Sequence, residues 1–245
     1  MIAGLPMYDW EEVRLATDAL WARMRDALRS RGIDAPDALS RGRELYAEWR
    51  DPELILGQTC GLPFRADLKG DVQMVGAIDY GLPDCPPGYY CSALTVAVDD
   101  PRSDVAEFAG APFAYNSRNS QSGYTCLMKA FDEAGMEPGA PVKTGAHAAS
   151  IRAIAEGRAE IAAIDGISHR LAVAYMPEVT KTRVIGMTPP TPGQALITAP
   201  GNPAAEIREA MCEVLSDLPE DIAGPLGIIG FADLHAEDYL AADAF

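Results

Sequence analysis

Residues 116–124 hold the polar groups with the clearest chemical potential, in the order Asn-Ser-Arg-Asn-Ser-Gln-Ser-Gly-Tyr. The first N–H groups of a helix have no intrahelical acceptor and lie at the positive end of the helix dipole. Small hydroxyl residues and a glycine at such a position bind anions without a buried lysine. We therefore predict an anion cradle, placed at the start of a helix and built from Asn116, Ser120, Ser122, Gly123 and Tyr124.

Helix capping is the alternative interpretation of the same segment. Ser120 and Ser122 are both residues of the type that caps a helix N terminus. The segment lacks the spacing and the lysine of a P-loop, and the chain has no Gly-x-Gly-x-x-Gly segment, so nucleotide binding is disfavoured. Anion binding and plain capping both stay open at this point.

Other polar residues stand where predicted strands end. Asp165 follows the apolar residues 162–164, His147 opens a predicted helix, and Tyr8, Gln58 and Thr59 end two earlier strands. In parallel α/β sheets, ligands bind outside the carboxyl ends of the strands, so these positions are expected to converge on one crevice. The alternatives are a cap or surface role for His147, a loop N–H partner for Asp165 and a core position for Tyr8.

The elements that position these groups alternate along the chain. Apolar runs alternate with stretches of helical periodicity, as Tyr124, Leu127, Met128 and Phe131 illustrate, and this alternation predicts an α/β fold with mostly parallel sheets. We predict strands at 2–8, 53–58, 72–79, 90–98, 113–115, 142–144, 161–164, 183–187 and 195–198. We predict helices at 10–30 with Asp9 as N-cap, 39–49, 122–134, 147–156, 166–175 and 204–216, and a loop at 59–63.

Charge and composition exclude several classes of function. The net charge is −16, from 20 basic and 36 acidic residues, so nucleic acid is an unlikely partner for this surface. No stretch approaches the roughly 20 apolar residues of a membrane span, and membrane insertion is not expected. The N terminus has no secretory signal pattern, which predicts a cytoplasmic chain, or a periplasmic one whose signal has been removed. We expect no cofactor, no metal site and no catalytic residue.

Seven segments of the chain form a recognisable series in their order and spacing. They are Leu5–Asp9, Gln58–Pro63, Asp84–Ser92, Asn116–Gly123, Thr144–Ser150, Ala162–Asp165 and Thr188–Gly193. The series resembles the phosphate/phosphite/phosphonate-binding family of ABC-transporter solute receptors, which has the type II periplasmic-binding fold. The resemblance implies two α/β lobes with sheets flanked by helices and a ligand cleft between them. Lobe one would comprise residues 1–95 and 188–245, and lobe two residues 96–187.

The resemblance also implies a function and its partners. The protein would be a monomeric solute receptor that closes on a small anionic ligand, phosphonate-like or phosphate-like, and delivers it to ABC permease subunits. Ser120, Ser122 and Gly123 would hold the anionic head, and Asp165 a ligand amine. If the protein is exported, Cys60 and Cys85 are expected to form a disulfide, with Cys91 as the alternative partner of Cys85.

Two other classes of function compete with this prediction. Enzymes of menaquinone- and thiamine-precursor synthesis share the fold, and in such an enzyme His147 would serve as a general base beside Asp165. The chain has no nucleophile elbow, metal cluster or cofactor motif, which favours a binding protein. A ligand sensor that reports to a partner protein is the third alternative.

Overall fold

The computed structural model describes residues 1–241, and the chain passes twice between two units. Unit 1 contains Met1–Tyr89 and the described residues from Pro192 onward, and unit 2 is Tyr90–Thr191. The predicted lobe boundaries after residues 95 and 187 both lie inside unit 2, within or at the end of continuous strands. The chain passes between the units inside two short strands, at residues 89–90 and 191–192. Because a strand that continues from one unit into the next shows no change of composition, the sequence pattern does not locate these two passages.

The first 90 residues build most of unit 1. Polar turns separate its elements. The residues of the first long helix show helical periodicity, and the second strand begins with an apolar run. The elements are β1 (Ile2–Gly4), α1 (Arg14–Ser30), α2 (Leu45–Trp49), β2 (Leu54–Thr59), α3 (Gly61–Ala66), β3 (Gln73–Asp79) and β4 (Tyr89–Tyr90).

Unit 2 follows without a linker. Its elements are β5 (Ser92–Ala97), β6 (Phe113–Tyr115), a π-helical turn (Gln121–Thr125) that continues into α4 (Cys126–Glu133), β7 (Pro141–Lys143), α5 (His147–Ala155), β8 (Ile161–Asp165), α6 (Gly166–Tyr175) and β9 (Thr182–Met187), with 3-10 turns at Val105–Phe108 and Pro177–Lys181. The return segment contains β10 (Thr191–Pro192), β11 (Ala195–Thr198), α7 (Ala204–Ser216), α8 (Glu220–Leu226), β12 (Gly230–Ala232) and α9 (Ala236–Ala241).

Each unit contains a five-stranded sheet, and both sheets are mixed rather than mostly parallel. The order in unit 1 is β1-β2-β11-β3-β12, with β11 and β12 antiparallel to their neighbours. The order in unit 2 is β7-β6-β8-β5-β9, with β5 antiparallel to β8 and β9. β5 and β11 are the strands that follow the two passages. Each of them lies between two strands that run antiparallel to it. The prediction of α/β sheets flanked by helices is confirmed, and the prediction of mostly parallel pairing is wrong.

The core of each unit packs on one sheet. In unit 1, Trp49, Phe64 and Tyr239 pack on β2 and β11, and all three are buried. In unit 2, Phe108 and Phe131 pack on the face of the sheet that carries Phe113 and Ile161. Because burial of aromatic and branched side chains is the main favourable term in folding, these clusters hold the strand ends in place.

Four local predictions are corrected by the structure. Asp9 does not cap α1, because a 3-10 turn at Glu11–Val13 precedes that helix and Asp9 instead pairs with Arg41. The second helix begins at Leu45 and not at residue 39, since the Glu44 carboxylate accepts from Tyr46 N and Ala47 N and defines its start.

The predicted loop at residues 59–63 is partly helical. Pro63 lies in the first turn of α3, where a proline is tolerated because the missing N–H has no intrahelical acceptor. The first strand, predicted over 2–8, ends at Gly4, shortly before Pro6.

Candidate ligand-binding site

Ser120 forms the N-cap of the helical segment that starts in the predicted anion cradle. Its Oγ accepts a hydrogen bond from Gly123 N at 3.0 Å, and its carbonyl accepts from Thr125 N at 3.1 Å. Ser120 is buried, with 7% of its surface exposed. The capping interpretation is therefore correct for Ser120, and a single side chain both ends the preceding loop and sets the direction of the first helical N–H groups.

Ser122 has a different partner. Its Oγ lies 2.8 Å from Nε2 of His147, the first residue of α5, and 3.4 Å from Ser120 Oγ. Nδ1 of His147 is enclosed and has no hydrogen-bond partner within residues 1–241, although the residue as a whole retains some exposed surface. The sequence prediction that the cradle and His147 converge agrees with this geometry.

Gly123 permits this close arrangement. A Cβ at this position would lie 2.2 Å from Asn116 Oδ1 and 3.1 Å from His147 Cε1. Asn116 Oδ1 also accepts from Ser117 N at 2.9 Å, so its side chain is held in the turn that precedes the helix. The glycine is therefore needed for close approach rather than for an unusual backbone conformation.

The environment of His147 favours the neutral form of its imidazole. Burial lowers the pKa of its imidazole, and the nearby negative charge of Asp165 acts in the opposite direction with a smaller effect. A neutral imidazole donates from one ring nitrogen and accepts at the other, and the Ser122 hydroxyl suits either role. The pair can thus present a hydrogen-bond donor to an anion from the hydroxyl or from the ring.

Asp165 ends β8 and caps α6. Its Oδ1 accepts from Ile167 N and Ser168 N, each at 2.9 Å, and the residue is only 1% exposed. The alternative considered from sequence, in which Asp165 receives backbone N–H groups, is therefore present. Its charge also acts on His147, so one carboxylate both caps a helix and influences the candidate site.

Ser92 was not predicted as a site residue. It is the Cα partner of Asp165 in the antiparallel pairing of β5 with β8, so the two side chains lie on the same face of the sheet, with Cβ atoms about 5 Å apart. Its Oγ is enclosed and has no hydrogen-bond partner within residues 1–241. Only the register of β5, which no sequence pattern specifies, brings Ser92 beside Asp165.

In unit 1 the structure connects Tyr8 with Gln58 through Tyr80, and it places Gln194 against Tyr8. Gln194 Nε2 donates to Tyr8 Oη at 3.1 Å, and Gln58 Nε2 donates to Tyr80 Oη at 3.3 Å. The rings of Tyr8 and Tyr80 meet edge to face with centroids 5.0 Å apart. All four residues are buried, as is Thr59, whose hydroxyl donates weakly to Cys60 O at 3.4 Å. Sequence reasoning missed Gln194, which follows the Pro-rich turn on the return segment.

Tyr124 is placed differently from the other cradle residues. Its hydroxyl accepts from Arg118 Nη1 at 2.9 Å, and its ring packs against Tyr115 with centroids 5.3 Å apart. The Arg118 guanidinium also lies over the Tyr124 ring, at 5.3 Å from its centroid. The structure thus joins Tyr124 to an aromatic cluster and not to the Ser122–His147 pair.

The expected disulfide is not formed. Within residues 1–241 all five cysteines carry thiols, Cys60 and Cys85 included. Cys60 directly precedes α3, and it contributes, after burial and Asp238, to the raised pKa of the Tyr239 hydroxyl. Cys85 lies in a separate turn, in which its backbone N–H donates to Leu82 O. Both loops belong to the segments that resemble the family, but this resemblance does not determine whether the two thiols lie close together.

Over residues 1–241, no group of three or more His, Cys, Asp or Glu side chains is placed to hold a metal ion. In the same residues, no helix combines the length and apolar character needed to cross a membrane. The groups that the candidate site in unit 2 offers are hydroxyls, helix-start N–H groups, the His147 imidazole and the Asp165 carboxylate, which together suit hydrogen bonding to a small polar ligand.

Solved structures share this fold at low sequence identity. PhnD1 from Prochlorococcus marinus (MIT 9301), in complex with methylphosphonate, has a TM-score of 0.75 and 14% identity, covering 94% of this chain and 92% of that chain. XAC2383 from Xanthomonas citri, bound to ATP, has a TM-score of 0.71 and 16% identity, covering 97% and 92%. A binding protein component of an ABC phosphonate transporter from Pseudomonas aeruginosa has a TM-score of 0.67 and 14% identity, covering 93% and 80%.

Two α/β units with helix-flanked mixed sheets, joined by two chain passages, define the class of type II periplasmic binding proteins. The chain belongs to a particular family of that class, the ABC-transporter phosphonate periplasmic substrate-binding proteins, whose pattern matches residues 65–239. Comparison with curated proteins returns no match. The family and the fold predicted from the sequence are confirmed.

Proposed function

We propose that the protein captures a small phosphonate, or a related phosphoryl oxyanion, at the unit 2 site formed by Ser120, Ser122, Gly123 and His147. The observation that carries the proposal is the 2.8 Å contact between Ser122 Oγ and His147 Nε2 at a helix start. Tetrahedral oxyanions accept several hydrogen bonds at once, and helix-start N–H groups with adjacent hydroxyls supply them.

The charge balance of the chain supports this mode of recognition. A chain with a net charge of −16 repels an anion at long range, so local donors must supply the affinity. The Ser122–His147 pair supplies such donors without adding a formal charge. We further propose that Ser92 and Asp165 contact the substituent of the phosphonate, because both are buried polar groups on one face of the unit 2 sheet.

We also propose that unit 1 completes the site when the ligand binds. Tyr8 follows β1, and Gln58 and Thr59 are the last residues of β2, so all three stand near carboxyl ends of strands, where α/β sheets place their ligand contacts. Their hydroxyl and amide groups are buried together with Tyr80 and Gln194. Contacts from both units would favour a closed state, because an open state makes only some of them.

The transport role follows from the family. We propose that the protein acts as a monomer in the periplasm and delivers its ligand to ABC permease subunits. Fractionation of the native cells, with antibody against the protein, tests the location. Recovery of the protein from the cytoplasmic fraction alone would contradict export and would favour a sensor or an enzyme.

Calorimetry with the purified protein tests the ligand. Methylphosphonate and inorganic phosphate are expected to bind, and acetate is expected to bind more weakly since it offers fewer acceptor oxygens. Ser122→Ala is expected to weaken methylphosphonate binding by at least about tenfold. Native mass spectrometry of the protein as purified identifies a retained ligand. Failure of every phosphoryl compound to bind would contradict the proposal.

An enzyme is the second candidate, because a serine hydroxyl close to a histidine ring is the first half of a catalytic triad. The second half is not assembled, since Asp165 accepts backbone N–H groups of α6 and His147 Nδ1 has no partner within residues 1–241. In a triad the carboxylate accepts from Nδ1 and holds the tautomer. We therefore propose binding without turnover, which is tested by recovering a bound ester or phosphonate unchanged after prolonged incubation.

A further inference from the structure

A cavity lies in unit 1 and shares no residue with the candidate ligand-binding site. Its volume is about 250 Å³, and its walls come from the segment after β1, the start of α1, residues 39–45 and α2. Leu5, Leu39 and Leu45 give it apolar walls, while Arg14 and Glu48 carry charge into it. A cavity of this volume accommodates a small organic molecule.

Most of the charge around this cavity is already neutralised. Arg41 binds Asp9 through Nε at 2.5 Å and Asp18 through Nη2 at 2.7 Å, and these contacts raise the pKa of the Arg41 guanidinium. Arg43 pairs with Asp51 at 2.8 Å. Of the three arginines that line the cavity, Arg41 and Arg43 are thus already paired with carboxylates of the chain.

Glu48 is the buried charge that the wall does not neutralise. The residue is only 3% exposed and lines the cavity, and its carboxylate is not a member of any ion pair formed within residues 1–241. A Cβ on Gly4 would lie 1.9 Å from Glu48 Oε1, so the Glu48 carboxylate can occupy its place only because residue 4 is a glycine. A carboxylate that lines a partly enclosed cavity without a counter-ion favours a cationic partner from outside the chain, because charges in such surroundings are stabilised by pairing.

Arg14 provides the opposite charge. It lies on the exposed side of α1, and no ion pair of its guanidinium occurs within residues 1–241. The cavity therefore has a carboxylate at a buried position, a guanidinium at an exposed position and leucine side chains in its walls. A ligand that matches this pattern has an ammonium group and an acidic group separated by a short apolar chain.

We propose that this cavity is a binding site for a small zwitterionic amino acid or related amino acid analogue. Glu48 accepts hydrogen bonds from the ligand's ammonium group, and Arg14 binds its acidic end. Charge-assisted hydrogen bonds of this kind are about twice as strong as neutral ones. The site is independent of the phosphonate site in unit 2, so either can be disproved without the other.

The test uses the full chain and four probes of increasing length, namely glycine, 3-aminopropanoate, 4-aminobutanoate and 5-aminopentanoate. Two-dimensional NMR titration measures binding to each, and affinity is expected to peak at one length with a Kd on the order of 1 mM or tighter. Glu48→Gln, which keeps the size of the side chain, is expected to weaken the preferred probe by at least about tenfold. Gly4→Ala, which pushes the carboxylate aside, is expected to weaken it as well.

Controls separate this site from other effects. Glu12→Gln alters an exposed carboxylate that does not line the cavity, and it is expected to leave the affinity unchanged. Ser122→Ala is likewise expected to leave it unchanged, while Arg14→Gln, an exposed change that the fold tolerates, is expected to reduce it several-fold. The proposal is overturned if none of the four probes binds the native chain, or if Glu48→Gln binds the preferred probe as tightly as the native chain does.

Discussion

Ser122 Oγ lies 2.8 Å from Nε2 of His147, although the two residues belong to different helical segments of unit 2. The contact joins the first turn before α4 to the first residue of α5, so two helix starts converge at one point. Because helix starts carry unpaired N–H groups and partial positive charge, this convergence is a natural site for an anion. Ser120 and Ser122 have different roles at this point, and mutations of each can separate these roles.

Ser120→Ala is expected to act on stability and Ser122→Ala on binding. Ser120 caps the helical segment through Gly123 N, and loss of such a cap lowers the free energy of unfolding by about 1 kcal/mol. Ser122→Ala removes a proposed donor to the ligand and is expected to weaken methylphosphonate by roughly ten- to a hundredfold. Urea unfolding and calorimetry on both variants distinguish the effects, with the exposed Ser103→Ala as the matched control. Equal methylphosphonate affinity in Ser122→Ala and the native chain would show that the placement is wrong.

Gly123→Ala is expected to disrupt the candidate site through steric overlap alone. The new Cβ would meet Asn116 Oδ1 at 2.2 Å, which forces the Asn116 side chain or the helix start to move, at a cost of about 1–3 kcal/mol in unfolding free energy. Methylphosphonate affinity should fall with it. Gly230→Ala is the matched control, because a Cβ there meets nothing within 4 Å. An additional Asn116→Ala substitution is expected to restore part of the loss, and an absence of any rescue would contradict the steric explanation.

The sequence predicted the elements of unit 2 well because each is short, periodic and bounded by glycine or proline. Strand β6 and the start of α5 have the predicted bounds, and the convergence of Ser122 with His147 follows from their shared position after strands. The pairing of β5 was not predictable, because an apolar strand looks the same whether its neighbours run parallel or antiparallel. Ser92 was missed for that reason alone.

In unit 1 the sequence was less informative. Residues 39–44 have helical periodicity, yet Gly42 adopts a φ of +75° and the helix starts only after it. Gln194 contacts Tyr8 across 186 positions of sequence, and no local pattern predicts a contact at that separation. Local periodicity therefore predicted the elements, whereas the polar contacts between distant segments required the structure.

The stability of the protein is expected to fall as the pH decreases from about 7 to 5, in part through His147. Burial lowers the pKa of His147 in the folded state, so the unfolded chain, with an imidazole pKa near 6.5, binds more protons over this range. Stability therefore rises with pH there, by up to about 1.4 kcal/mol per pH unit for one such group. Burial lowers the pKa of His169 in the same direction.

Urea unfolding at a series of pH values measures this slope. His147→Asn is expected to reduce it, and the double change His147→Asn with His169→Asn is expected to reduce it further. NMR of the imidazole protons reports the titration of His147 directly. A slope that is the same in the native chain and in both variants would show that neither histidine contributes.

Asp165→Asn is expected to change ligand preference rather than the fold. An asparagine side-chain oxygen still accepts from Ile167 N and Ser168 N, so the cap of α6 is kept and the free energy of unfolding changes by less than about 1 kcal/mol. Removal of the negative charge weakens contact with a ligand amine. Calorimetry is expected to show a larger loss for 2-aminoethylphosphonate than for methylphosphonate, and equal losses would assign Asp165 a structural role only.

Ligand binding is expected to draw the two units together. Over residues 1–241 the chain passes between them within β4 and within β10, and two such passages permit rotation without disturbing either core. Small-angle scattering should show a smaller radius of gyration with saturating methylphosphonate than without it. Tyr8→Phe keeps the ring that packs on Tyr80 but removes the hydroxyl bonded to Gln194, so it is expected to weaken both affinity and closure while leaving the fold intact. Ser122→Ala, which acts in unit 2, is expected to shift the concentration at which closure occurs without changing the final radius. If the radius of gyration does not change while methylphosphonate binds, the ligand is held by unit 2 alone and the contribution proposed for Tyr8, Gln58 and Thr59 is wrong.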